Sequence, residues 1–184
     1  MKVKPAKKKN RVMVELGRTD PALLAEGGDD RNFTLKHILV PVDFSQCSLK
    51  ALRYAVAFAR QFKASLTLLY VVQPYYLPGD FASGLDYAAL EKEIEENSAR
   101  ELESIAVKNI GKKAPWKVLL RMGRPVDQIS QIADELNVDL IILSTHGHTG
   151  LKHVVLGSTA ENVVRHAPCP VLTVRVNEHE FLRA

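Results

Sequence analysis

The stretch Val138-Asp139-Leu140-Ile141-Ile142-Leu143-Ser144-Thr145-His146-Gly147-His148-Thr149-Gly150-Leu151-Lys152-His153-Val154-Val155-Leu156-Gly157-Ser158-Thr159 decides how this chain is read. It begins with an apolar strand pattern, Val138 to Leu143, whose core is apolar on both faces, as in a buried parallel strand. It ends in a helical pattern, Ser158 to Ala167, that buries Ala160, Val163, Val164 and Ala167. Between them lies a loop punctuated by Gly147, Gly150 and Gly157. The start of a helix has free backbone N–H groups and a partial positive charge, so it is a ready anion site. Gly157-Ser158-Thr159 adds two hydroxyls there. A reading without a ligand competes: Ser158 followed by Glu161 has the spacing of a capping box.

The same alternation of strand and helix extends in both directions. Leu35 to Asp43 reads as a strand, Ser45 as the cap of a helix over about Gln46 to Lys63, and Ser65 to Val72 as a second strand. A loop with Pro74, Pro78, Gly79 and Gly84 leads to a charged helix, Leu85 to Lys108. Trp116 to Met122 is a third strand, and its charged Lys117 and Arg121 point to a sheet edge. Pro125 suits the first turn of the next helix, whose stripe is Ile129, Ile132, Ala133 and Leu136. Asn137 accepts the left-handed geometry that ends it. Pro168-Cys169-Pro170 separates the last helix from a fifth strand, Val171 to Val176. This order predicts one α/β domain with a doubly wound parallel sheet of five strands and helices on both faces.

Length and composition agree with a single globular domain: 184 residues, 46% hydrophobic and 25% charged. The net charge is +4, but residues 1–11 alone carry six positive charges, so the remainder sums to −2. The basic character belongs to an extension, residues 1–32, read as a flexible arm with one candidate edge strand at Val12 to Leu16. Residues 33–177 form the expected domain and 178–184 a polar tail. With six of the positive charges gathered in residues 1–11, the basic pI does not argue for nucleic-acid binding by the fold itself and leaves such contact to the basic arm. No apolar run spans a membrane and no signal-peptide pattern opens the chain, so a cytoplasmic setting and no membrane insertion are expected. Cys47 and Cys169 stand outside any metal or redox spacing and read as small apolar residues.

In doubly wound sheets ligands sit beyond the C-terminal ends of the strands, where the strand order reverses. Pro41-Val42-Asp43, Val71-Val72, Met122-Gly123 and Leu143-Ser144 fall at such ends. Asp43 can accept hydrogen bonds from ribose hydroxyls or a base amine, and its bland alternative is to cap the first helix with Ser45. Pro41 and Val71 offer apolar walls for a flat base, and Gly147 allows close approach of a phosphate. A polar pole, an anion pole and an apolar slot together suit a nucleotide. His146, His148 and His153 raise a metal reading, but no carboxylate or cysteine lies beside them in the loop, so no metal ligands are assigned.

The segments Val40-Pro41-Val42-Asp43-Phe44-Ser45, Leu69-Tyr70-Val71 and Arg165-His166-Ala167-Pro168-Cys169-Pro170-Val171-Leu172, with the loop between them, closely resemble the universal stress protein family. The resemblance covers residues 33–177. It implies an adenine-nucleotide-binding fold with strand order 3-2-1-4-5. The family's nucleotide-binding loop, G-x2-G-x9-G-[S/T], is matched here by Ser144, two residues, Gly147, nine residues and Gly157-Ser158, so serine replaces the first glycine. The resemblance carries Asp43 to the ribose, Pro41 and Val71 to the adenine, and Gly147, Gly157, Ser158 and Thr159 to the phosphates. Val42, Gly123, Leu143, Ser144, His146 and His148 complete the expected lining. The expected ligand is ATP, or ADP or AMP, with Mg²⁺ accompanying it. Homodimers pairing through Val171 to Val176 are implied too, as is an unidentified protein partner.

Three functions compete. The first is a stress-response regulator, a dimeric switch set by its nucleotide. No general base is evident and no lysine follows the phosphate-binding glycine, so turnover would be slow ATP hydrolysis or autophosphorylation at most. The second is an enzyme cleaving between the α- and β-phosphates, which needs more cationic clamps than Lys152 and Arg124. The third is a nucleotide-free dimeric scaffold, for which the only support is Ser144.

Overall fold

The computed structural model describes residues 2–5, 12–15, 34–73, 87–145, 157–175, 179 and 182. The chain divides into two units, Met1–Phe33 and Thr34–Ala184. In the first, β1 (Lys2–Pro5) and β2 (Val12–Glu15) pair antiparallel, Lys2 opposite Glu15 and Pro5 opposite Val12. Val12–Glu15 is therefore a strand, but its partner is Lys2–Pro5 and not the edge of the main sheet.

The second unit carries β3 (His37–Pro41), α1 (Gln46–Phe62), β4 (Ser65–Val72), α2 (Tyr87–Asn109), β5 (Trp116–Met122), α3 (Pro125–Glu135), β6 (Leu140–Ser144), α4 (Ser158–His166) and β7 (Val171–Val174). The sheet order is β5-β4-β3-β6-β7 and every neighbouring pair is parallel. Counted along this sheet, that is the order 3-2-1-4-5. The charged strand β5 lies at one edge and β7 at the other.

Side chains alternate across a strand, and here the alternation divides the core in two. Ile38, Val40, Leu66, Leu68 and Ile142 face α1 and α2, which contribute Leu52, Ala55, Leu102 and Ala106. Leu39, Leu69, Val71, Ile141 and Leu143 face α3 and α4, which contribute Ile129, Ile132, Ala160 and Val163. Strands covered on both faces must be apolar throughout, hence the runs Ile38-Leu39-Val40 and Ile141-Ile142-Leu143. No helix among the described residues is long and apolar enough to cross a membrane.

The end of the sheet away from the strands' C-termini is closed by polar groups. Asp139 Oδ2 accepts from the N–H groups of Lys36 (2.7 Å) and His37 (2.8 Å). This holds the chain just before β3, which starts at His37 and not at Leu35, and β6 starts after Asp139 for the same reason. Asn137 has φ of 47°, so it takes the left-handed conformation that ends α3. Alanine there lacks the side-chain polarity that favours this region. Asn137→Ala is expected to destabilise the fold by about 1 kcal/mol and Asn137→Gly to leave it unchanged, as read by thermal denaturation.

Candidate functional site

The strand-order reversal falls between β3 and β6. The chain leaves β3 toward α1 on one face and leaves β6 toward α4 on the other. Pairing of β3 with β6 covers Ile38 opposite Leu140 and Leu39 opposite Ile141, and the ladder ends there. Two adjacent strands whose connections depart to opposite faces leave a crevice beyond their C-terminal ends. Asp43 follows β3 on one side of it, and Ser144, the end of β6, is followed by Thr145 on the other.

On the first side the turn Val42-Asp43-Phe44-Ser45 is tightly specified. Val42 N–H bonds the Leu69 carbonyl (2.8 Å), extending the pairing with β4. Phe44 has φ of 64°, a left-handed conformation that is uncommon for a bulky side chain. Its ring packs on Tyr70, with centroids 4.4 Å apart and planes tilted by 38°. Asp43 Oδ1 accepts from Ser45 N–H (3.0 Å) and Ser45 Oγ–H (2.6 Å), the geometry of an Asx turn. Ser45 caps α1 by accepting from Ser48 N–H (3.2 Å). Asp43 and Ser45 thus start the helix jointly.

On the second side the two ends of the long loop are clasped. Thr145 N–H bonds the Val174 carbonyl (3.0 Å), and the Thr145 carbonyl accepts from Gly157 N–H (2.8 Å). Gly157 has an ordinary φ of −66°, so left-handed freedom is not why glycine stands there. A Cβ at this position would lie 2.9 Å from the Thr145 carbonyl oxygen, so close approach is the reason. Gly157 is the N-cap of α4 and no side chain caps the helix. The capping box is therefore absent. Ser158 is the first helical residue, which places Glu161 one position too late to reach back. Glu161 instead pairs with Arg165 at 3.0 Å. Ser158 and Thr159 are exposed beside the uncapped N–H groups.

Ser144 is the last residue of β6 and pairs with Val174. It is not among the residues of positive φ, which are Phe44, Lys63 and Asn137 among the described non-glycine residues. A glycine's conformational freedom is thus not required at Ser144, and its Cβ brings no backbone strain. Gly123 does need its freedom: its φ is 133°, and its N–H bonds the Val72 carbonyl (2.9 Å) as the chain turns off β5. Val42, Val71 and Leu143 are buried in the cores, so a ligand would meet mainly their backbone. Pro41 is half-buried at the end of β3. Gly147, His146, His148 and His153 lie outside the described residues, and so does Lys152. Arg124 caps α3 without a side-chain bond and pairs loosely with Asp127 at 3.5 Å.

Two features escaped the sequence. The left-handed Phe44 carries no glycine or asparagine to announce it. The bonds of Ser48 to this turn were not anticipated either, although Asp43, Ser45 and Ser48 have the spacing of an Asx turn followed by a cap. Among the described residues no group of histidines, cysteines and carboxylates could hold a metal. Cys47 and Cys169 are both half-buried and unbridged. Burial pushes the Cys169 thiol up, and the charge of Asp139 adds to this against a backbone hydrogen bond at Ile141. A thiol so placed is a poor nucleophile.

The fold is a doubly wound α/β domain whose topological switch point lies between a fixed carboxylate, Asp43, and an uncapped helix start at Gly157. The chain belongs to the universal stress protein family, whose model matches residues 34–175. The universal stress protein MJ0577 of Methanocaldococcus jannaschii is 34% identical over 153 residues, which are 76% of this chain and 94% of that one. The solved structure of MJ0577 superposes with a TM-score of 0.68 at 30% identity, covering 79% of this chain and 99% of that one. A universal stress protein solved in complex with cAMP has the same fold, with a TM-score of 0.55 at 24% identity over 78% of this chain and 99% of its own. So has the universal stress protein of Archaeoglobus fulgidus in complex with dAMP, with a TM-score of 0.52 at 23% identity over 76% and 96%.

Proposed function

We propose that this protein is a regulatory adenine-nucleotide-binding protein of the stress response, with ATP as its ligand and Mg²⁺ accompanying the phosphates. One observation carries the proposal. The Gly157–Thr145 clasp holds an uncapped helix start, with the Ser158 and Thr159 hydroxyls, at the end of β6 where the strand order reverses. A helix N-terminus without a side-chain cap keeps its donors for an anion. The phosphates lie there, with Gly147 in the loop, while Ser144 offers a hydroxyl in place of the family's glycine. Asp43 takes the ribose, and Pro41, Val71, Val42 and the turn at Gly123 flank the base. His146, His148 and Leu143 complete the lining. Complexes of relatives with cAMP and dAMP support an adenine nucleotide as the ligand class.

The protein works in the cytoplasm as a homodimer whose partner contacts change with its nucleotide. β7 is an edge strand, with one row of backbone groups available to a second copy, which supports placing the seam along this strand. Turnover is slow or absent, because Asp43 is assigned to the ribose, away from the terminal phosphate, and no lysine follows the phosphate-binding glycine as in a P-loop. Denaturing the purified protein and identifying what it releases, then measuring turnover, tests this reading. Released ATP or ADP with negligible turnover is the expected outcome. Rapid pyrophosphate release would make it an adenylyl-transferring enzyme, and no release with no binding on addition would make it a scaffold.

A further inference from the structure

At the carboxylate side of the crevice, four residues are wired into one unit. The Ser45 hydroxyl gives its single proton to Asp43 Oδ1 (2.6 Å) and accepts from Ser48 N–H (3.2 Å). Ser45 N–H adds a second bond to the same oxygen (3.0 Å). The Ser48 hydroxyl donates to the Ser45 carbonyl (2.9 Å) and accepts, at a long 3.4 Å, from Asp43 N–H. Ser48 is 1% exposed, so water does not compete there. Between them Phe44 has φ of 64°, and its ring packs on Tyr70. A helix cap alone needs one hydroxyl and one N–H. Here the cap also fixes a carboxylate, using Oδ1 twice and leaving Oδ2 without a partner among the described residues.

We propose that Ser45, supported by Ser48, is a positioning residue that presents Asp43 Oδ2 to a ribose hydroxyl, and so sets a preference for ribonucleotides over their deoxy analogues. The proposal rests on the nucleotide reading above. A carboxylate held by two donors on one oxygen cannot swing to another partner, so the other oxygen waits in one place. Preorganised acceptors lose little freedom on binding, and a ligand lacking the matching hydroxyl leaves them unpaired. A carboxylate that keeps only the backbone N–H bond of residue 45 is free to rotate about that one contact, and the missing hydroxyl would then matter little.

Calorimetric titration of ATP, 2′-deoxy-ATP and 3′-deoxy-ATP into the full-length protein tests this. The wild type is expected to bind at least one deoxy analogue about tenfold more weakly than ATP. In Ser45→Ala the difference shrinks to within about twofold, and Ser45→Thr, which keeps the hydroxyl, restores it. Ser45→Asp still accepts from Ser48 N–H and so keeps the cap, but it has no proton for Asp43, and the preference is lost there too. The readout is a ratio within one protein, so a general loss of stability cancels. ATP binding with the preference intact in Ser45→Ala and Ser45→Asp would overturn the positioning role. ATP binding without any deoxy penalty in the wild type would overturn it as well, with the nucleotide reading standing. A wild type that binds none of the three would remove that reading and this inference together.

Discussion

Gly157→Ala is expected to destabilise the fold by about 2 kcal/mol and to weaken ATP binding about a hundredfold. The cause is steric. Alanine accepts the backbone angles of Gly157, φ −66° and ψ 151°, without strain. Its Cβ, however, would sit 2.9 Å from the Thr145 carbonyl oxygen. That oxygen belongs to the backbone and has no rotamer with which to retreat. Thr145 is itself anchored to β7 through the Val174 carbonyl and is 2% exposed. Something must shift, and the bond from Gly157 N–H to Thr145 (2.8 Å) is the contact in the way. Moving the start of α4 misaims the N–H groups proposed to hold the phosphates, each worth about 1.5–3 kcal/mol against a charged partner. Denaturant unfolding without nucleotide reads the first effect. Titration at a temperature where the variant is folded reads the second. An alanine variant of wild-type stability would mean the clasp is not as tight as described.

The second large effect separates the hydroxyls from the fold. Ser158→Ala with Thr159→Ala is expected to weaken ATP binding by about thirtyfold or more while leaving folding stability within about 0.5 kcal/mol. Both side chains are exposed, and neither caps the helix, whose N-cap is Gly157. Alanine is also the better helix former. Ser144→Gly provides the contrast. Ser144 is a strand residue paired with Val174 and has no positive φ to relieve. Glycine there loosens the strand, at a cost of about 0.5–1 kcal/mol, and changes ATP affinity no more than about threefold. Equal affinity in the wild type, the double variant and Ser144→Gly would remove the phosphate assignment.

Much of this architecture is legible in the residues, because strands buried on both faces must be apolar without interruption. Ser65–Val72 and Trp116–Met122 begin and end where their patterns do. The edge position of β5 is visible in Lys117 and Arg121, and the end of α3 in Asn137. Other features depend on contacts between residues distant in sequence. The role of Gly157 is set by Thr145, twelve residues earlier, and glycine alone does not say whether it serves a turn, a ligand or a close approach. Ser158 and Glu161 have capping-box spacing, but the clasp makes Gly157 the cap and puts the pair out of register. The strand at Val12–Glu15 shows in its alternation, while its partner Lys2–Pro5, half lysine, does not. At Ser144 the sequence shows that serine replaces the family's first glycine but not the backbone angle there, and the strand conformation shows that no positive φ is needed.

The central claim is that this crevice takes an adenine nucleotide. Its most direct test is calorimetric titration of Mg·ATP into nucleotide-stripped protein. Saturable binding of one ATP per chain, weakened in the Ser158→Ala/Thr159→Ala variant, is the predicted result. No heat of binding and no change in melting temperature at millimolar Mg·ATP would contradict it.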